Sequence, residues 1–261
     1  MPSIADAPNP SANPGLYPGP PVPGDCLLAG TWRHPLSGTI LDDEGGPLAG
    51  LSLDDALAAL DAAPMSARRP IAAIGSNAAA GQLLHKWGGA VDAVPVMRAT
   101  ASGIGVGHSA HVSAAGYVPY APVAAPGRRT TVFVLWLDEK QVERLDATEP
   151  NYVRTTVGAA GSLTLDVGGT PNSWELYRSR WGALGGRDGF LPAADQATAM
   201  ARLAAWGLTA HLPAWPDIPR VQAGLAADAA ARAALRRALA GFARPDGLAD
   251  YSTSVAGGAS S

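Results

Sequence analysis

The chain has 261 residues, a formal net charge of −3 and only 16% charged residues, so it is long enough for one large domain or a core domain with substantial extensions. Basic residues occur singly or in pairs (Arg68-Arg69, Arg128-Arg129, Arg236-Arg237) with no positive stripe, which argues against nucleic acid as a partner. The single cysteine, Cys26, excludes an internal disulfide and any multi-thiolate metal site. No apolar stretch approaches membrane-spanning length, and no basic region followed by an apolar run opens the sequence. A soluble cytoplasmic protein without membrane contact is expected. Lys86 and Lys140 are the only lysines; together with heavy Ala and Gly usage, this reads as a coding bias rather than a functional signal.

Residues 1–24 are rich in Pro, Gly, Asn and Ser, with only Ile4, Leu16, Tyr17 and Val22 as anchors, and read as a flexible arm. Residues 25–69 read as an extension packed on the core. They hold a short strand at Cys26–Trp32 and a helix capped by Ser52 or Asp54 that ends before Pro64. The main domain spans 70–190. It opens with a buried strand, Ile71–Ile74, which stops at Gly75-Ser76-Asn77 and is followed by a helix over Ala78–Trp87. A strand, a tight turn and a helix start gather backbone N–H groups and a positive helix end around one concavity, suited to a carboxylate or an oxyanion. Equally, Ser76 or Asn77 can simply cap the helix.

Val94–Val123 alternates apolar and small residues broken by Gly103, Gly105, Gly107 and Gly116, a pattern that predicts several short, bent strands in a curled sheet or small barrel. His108 and His111, three apart, point to opposite faces of a strand, so a shared metal ion is not expected.

The most informative stretch is Thr131–Val157. The run Val132–Leu137 suits a strand buried on both faces. Asp138 and Gln141 form a capping box, and Val142 and Leu145 give the following helix one apolar edge. Pro150 disfavours helical geometry at Glu149, so the helix ends there and leaves that carboxylate at a junction between a helix and two strands, the second being Tyr152–Val157. On position alone, Glu149 also suits a surface pair with Arg154 or Arg144.

Ser173–Tyr177 reads as a further strand. Residues 191–245 form a C-terminal helical segment, with one helix over Pro192–Trp206 and a helix or helix pair over Val221–Phe242. Residues 246–261 are Gly, Ala and Ser in the main and read as a disordered tail.

Gly75-Ser76-Asn77 after a strand, the later Val-Leu-Trp-Leu strand, Leu145-Asp146-Ala147-Thr148-Glu149, Tyr152-Val153-Arg154 and the Leu176-Tyr177 strand occur in an order that resembles the γ-glutamylcyclotransferase-like family, over roughly residues 70–190. Ile74 and Ala78 depart from that pattern, at the aromatic position before the turn and the apolar position after it. The resemblance implies an α+β fold: a small mixed β-barrel flanked by helices. Its pocket would lie between the Gly75-Ser76-Asn77 turn and Glu149, with Tyr152 and Tyr177 positioning the substrate. Both tyrosines also suit the core with their hydroxyls satisfied. The segments outside the resemblance are candidates for covering the pocket or for a homodimer contact.

The resemblance further implies a small γ-glutamyl substrate and release of 5-oxoproline. A γ-glutamyl amide can cyclise by attack of its own α-amine on its γ-carbonyl, which calls for no enzyme nucleophile, metal or cofactor. The amine must first lose a proton, and the leaving amine must gain one. One carboxylate can do both if burial brings its pKa toward neutrality. Each backbone donor to the oxyanion lowers the barrier by ~3 kcal/mol. An amide hydrolase or lyase on the same fold, or a non-catalytic interaction domain, are the alternative readings.

Overall fold

The protein was analysed as a computed structural model, which describes residues 2–42, 45–157, 161–187 and 189–248. Its centre is one long hairpin. β1 (Cys26–Gly30), β2 (Trp32–Ser37) and β3 (Ile40–Leu41) form an N-terminal meander, α1 (Leu53–Ala59) follows, and β4 (Arg69–Ala73) leads through the Ser76–Ala78 turn to α2 (Ala80–Lys86). Then come the hairpin strands β5 (Val91–His108) and β6 (Tyr120–Leu137). These two pair antiparallel from Val96↔Leu135 to His108↔Tyr120, with one register shift between Ser102 and Ile104. The glycine-broken stretch is therefore not several short strands. Between the pairs Ser102↔Arg129 and Ile104↔Ala124, Gly103 alone faces residues 125–128 of β6, so the extra residues bulge from β6 and the hairpin bends and continues rather than stopping.

α3 (Glu139–Ala147), β7 (Tyr152–Val157), β8 (Leu163–Leu165) and β9 (Trp174–Ser179) complete the main sheet, in the order β3-β2-β1-β5-β6-β4-β9-β7 with β8 on β5. The β4–β9 pairing is parallel and the remaining ladders are antiparallel. The expected barrel is not closed: closure would require β7 to pair with β8, and no such ladder occurs among the described residues. Val157, Leu163 and Trp174 instead pack there as side chains in one core cluster, and Trp174 Nε1 donates to Gly161 O at 2.9 Å. The result is a large open mixed sheet with helices, an α+β arrangement.

The small β10 (Ala183–Gly186), β11 (Gly189–Phe190) and β12 (Ala243–Arg244) form a separate sheet beside α4 (Gln196–Leu203), α5 (Ile218–Ala227) and α6 (Ala229–Leu239). Of the helix or helix pair expected over Val221–Phe242, the structure has the pair, divided at Asp228, whose extended backbone ends α5 and whose side chain caps α6 by accepting from Ala230 and Ala231 N–H. These helices bury Met200, Leu203, Val221, Leu225, Leu235 and Leu239 in a core of their own. A second core lies between the main sheet and α2 and α3, built from Ile71, Leu83, Trp87, Val94, Leu135, Val142 and Leu145.

Two expectations about the ends need correction. Residues 2–24 are not a free arm: Ile4, Tyr17 and Val22 are buried, and Val22 N–H donates to Ala78 O at 3.0 Å. The arm lies so close to α2 that a Cβ at position 81 would run into the carbonyl oxygens of Ala7 and Pro8, which is why a glycine stands inside that helix. At the other end, Asp246 is buried and accepts from Arg178 Nε at 2.8 Å and Nη2 at 2.6 Å, and Leu248 is buried in the core. The rest of the expected tail, 249–261, lies outside the described residues.

Candidate active site

Local rules place the acid. Asp138 Oδ1 accepts from Gln141 N at 2.9 Å, and Gln141 Oε1 accepts from Asp138 N at 3.1 Å, so the predicted capping box starts α3. Val142 and Leu145 are buried against the sheet, the helix ends at Thr148, and Glu149 follows immediately. On the opposite wall, β4 runs out at Ala73 and the chain turns at Gly75-Ser76-Asn77 before α2 begins.

Between them lies a cavity of about 580 Å³ whose lining includes Gly75, Ser76, Asn77, Glu149, Tyr152 and Tyr177. All six residues singled out in the sequence thus meet one space. The Glu149 side chain is only 14% exposed. It is not paired with Arg144 or Arg154, the two partners its position suggested. Arg154 bridges Asp146 and Glu175, while Arg144 reaches Asp92 and the Trp87 carbonyl.

Glu149 is met by Lys86, from the last turn of α2. Lys86 Nζ lies 2.5 Å from Glu149 Oε1, and the same oxygen accepts from Asn77 Nδ2 at 2.9 Å. Lys86 Nζ also donates to Asn77 Oδ1 at 2.8 Å, closing a triangle of three side chains. Among the described residues, Oε2 accepts no hydrogen bond. One carboxylate oxygen is anchored and the other is available.

Tyrosines form a large part of the remaining walls. Tyr17, from the N-terminal arm, stacks on Tyr117 with ring centroids 4.2 Å apart and meets Tyr120 edge-on at 5.1 Å. Its hydroxyl accepts from Tyr120 N–H at 2.8 Å and sits 2.6 Å from where a Cβ on Gly75 would be. Tyr152 donates to Tyr120 O at 2.8 Å and Tyr177 donates to Asp146 Oδ1 at 2.6 Å, so both hydroxyls are already engaged. Burial pushes the Tyr17 and Tyr152 phenols well above the ordinary tyrosine value, so they remain protonated. Asp146 is a structural acid: burial raises its carboxyl, but hydrogen bonds from Arg154 and Tyr177 outweigh this and hold it below the usual range.

His111 also lines the cavity, with Nδ1 2.6 Å from Ser109 Oγ. Burial lowers it to about 3, assisted by the Arg236 charge, so the ring is neutral. His108 lies in the core, with Nδ1–H directed to Val118 O and Nε2 accepting from Ala194 N–H at 3.1 Å. Among the described residues, no group of three or more His, Cys, Asp or Glu side chains is arranged to hold a metal ion.

Lys86, Tyr17 and Tyr117 are among the cavity residues that sequence reasoning missed. For Lys86 a signal existed: in a chain whose 19 basic residues are otherwise nearly all arginine, a lysine at this position is unusual.

No family model matches the chain, and no curated protein sequence matches it. Among solved structures, it is similar to the solution structure of At5g39720.1 from Arabidopsis thaliana, at 16% identity and a TM-score of 0.34, covering 56% of this chain and 89% of that one. It is also similar to a gamma-glutamyl cyclotransferase, at 11% identity and a TM-score of 0.37, covering 65% of this chain and 99% of that one. Among the described residues, no helix is long and apolar enough to cross a membrane.

Proposed function

We propose that the protein is a cofactor-independent γ-glutamyl cyclotransferase, with Glu149 as general acid and base. The observation that carries this reading is the one-sided anchoring of Glu149 inside a cavity that also contains the Gly75-Ser76-Asn77 turn. Lys86 and Asn77 fix Oε1, so the carboxylate cannot swing away, and Oε2 is left for a substrate proton.

In this account the substrate's α-ammonium docks on Oε2 and gives up a proton to it. The freed amine attacks the γ-carbonyl carbon, forming the five-membered ring and a tetrahedral oxyanion. Backbone N–H groups of Gly75, Ser76 and Asn77 receive that oxyanion, each such donor lowering the barrier by ~3 kcal/mol. Glu149 then returns its proton to the leaving nitrogen and takes up the second proton that the ring nitrogen must shed. The C–N bond breaks, 5-oxoproline departs, and the carboxyl passes that second proton to the departing amine, which leaves as an ammonium. The walls formed by Tyr17, Tyr117, Tyr152 and Tyr177 hold amine and carbonyl together, which favours the intramolecular attack. With both hydroxyls engaged, Tyr152 and Tyr177 present ring faces to the substrate rather than O–H donors.

Incubation with a panel of γ-glutamyl amines and γ-glutamyl amino acids tests this. Release of 5-oxoproline with stoichiometric free amine is the expected result. Release of glutamate would mean that water, not the substrate's own amine, attacks, and absence of both products would leave the cavity a binding site.

A further inference from the structure

The cavity has an annex. A second hollow of about 260 Å³ shares His111, Ala114 and Asn151 with it and is lined as well by Arg232 and Arg236 of α6. The two arginines are four residues apart, so their guanidinium groups rise from one face of the helix. Among the described residues, neither is paired with a carboxylate. Arg232 Nη1 donates to Leu225 O at 2.6 Å and to Ala226 O at 2.7 Å, which ties it to the end of α5. The Arg236 guanidinium lies 4.3 Å over the Trp181 ring.

Asn151 completes the set. Trp181 Nε1 can only donate, and it donates to Asn151 Oδ1 at 2.9 Å, which fixes the orientation of that amide. Asn151 Nδ2 is thereby left as a donor with no partner among the described residues. Two cations and one amide donor therefore border a small hollow without a counter-charge, two residues along the chain from Glu149. A planar guanidinium held against an indole has little freedom left to lose, and its edge matches a carboxylate through two parallel hydrogen bonds.

We propose that Arg236, Arg232 and Asn151 form a carboxylate-binding subsite for the leaving group. The substrate class is then a γ-glutamyl derivative of an amino acid or peptide, rather than of an uncharged amine. This rests on the cyclotransferase reading above, and it assigns to α6 a role in selecting substrates.

The test compares γ-glutamylalanine with γ-glutamylethylamine, which lacks the leaving-group carboxylate, on the full-length protein. For the wild type, KM is expected to be lower for γ-glutamylalanine by roughly tenfold or more, the range for one charge-assisted pair. Arg236→Gln should erase that difference by raising KM for γ-glutamylalanine alone, with kcat for both substrates unchanged. Arg236→Lys, which keeps the charge without the fork, should recover part of it and serves as the test should the glutamine variant fail to fold. Equal KM values for the two substrates in the wild type, or an equal effect of Arg236→Gln on both, would overturn the subsite while leaving the cyclotransferase reading intact. No 5-oxoproline from either substrate would overturn that reading and the subsite with it.

Discussion

Lys86 grips one oxygen of Glu149 and not the other: its Nζ lies 2.5 Å from Oε1, while Oε2 accepts nothing from the described residues. Both side chains are largely buried, at 8% and 14% exposure. Taking one partner away from such a pair typically costs 3–5 kcal/mol, because the charge left behind has lost its compensation. The cavity, at about 580 Å³, is roomy enough for water to screen the pair, which places it toward the lower end. Lys86→Met should therefore lower the melting temperature and reduce kcat by about 10–100-fold as the carboxylate loses its fixed orientation. Combining it with Glu149→Gln should restore part of the stability but no activity. A double-mutant cycle measured by denaturant unfolding checks this, with a coupling of about 1–3 kcal/mol expected.

The N-terminal arm should be separable from the rest of the fold at one position. Gly81→Ala sets a methyl group against the carbonyl oxygens of Ala7 and Pro8, which are backbone atoms and yield only if the arm moves. The expected outcome is a loss of about 1–3 kcal/mol and a new protease-sensitive segment within residues 2–24. Because Tyr17 of that arm covers Gly75, KM should rise as well. Limited proteolysis followed by mass spectrometry reads the first effect, and steady-state kinetics the second.

Stability should fall on the acid side for reasons unconnected with the site carboxylate. Burial lowers His108 to about 4 and His111 to about 3, against an ordinary histidine value near 6.5. The folded state keeps both rings neutral, while the unfolded chain takes up protons below about pH 6.5. Their contribution is fully present above that pH and is lost as pH falls toward 4 and then 3. Each ring removes about 1.4 kcal/mol per pH unit in that window. Unfolding midpoints measured from pH 7 to pH 4 should show the decline, and His108→Gln should shallow it.

The tyrosines separate ring from hydroxyl. Tyr177→Phe loses the hydrogen bond to Asp146, a cost of about 1 kcal/mol in stability. Its KM should stay within about threefold of the wild type, a factor worth under 1 kcal/mol. Tyr152→Phe should behave likewise, since its hydroxyl is spent on Tyr120 O. A large rise in KM for either variant would mean that the hydroxyl leaves its partner to bind substrate.

What could be read from sequence follows the range of the forces involved. The position of Glu149 was legible because a capping box, two apolar residues and a proline, all within 13 positions from Asp138 to Pro150, set the end of α3. The strand before the Gly75-Ser76-Asn77 turn was legible for the same reason. The long β5–β6 hairpin was not, because glycines that end an isolated strand are tolerated where a partner strand supplies the hydrogen bonds. The docked arm was hidden as well: Tyr17 is buried through Tyr117, about a hundred residues away in sequence, and through the missing side chain at Gly81. The open edge between β7 and β8 depends on Val157, Leu163 and Trp174 packing side by side, which no local pattern records. Lys86 escaped because helical periodicity says which residues are buried, not which polar side chain bends inward to meet an acid 63 positions further on.

Glu149→Gln on a folded protein is the most direct test of the central claim. The account predicts unchanged secondary structure and a lowered melting temperature, comparable to that of Lys86→Met because buried Lys86 loses its carboxylate. It also predicts 5-oxoproline release from a γ-glutamyl substrate by the folded variant reduced by about 10²–10⁴-fold, the range for removing a positioned general base. Release at the wild-type rate from that variant would contradict it, since the proton would then be moving through some other group.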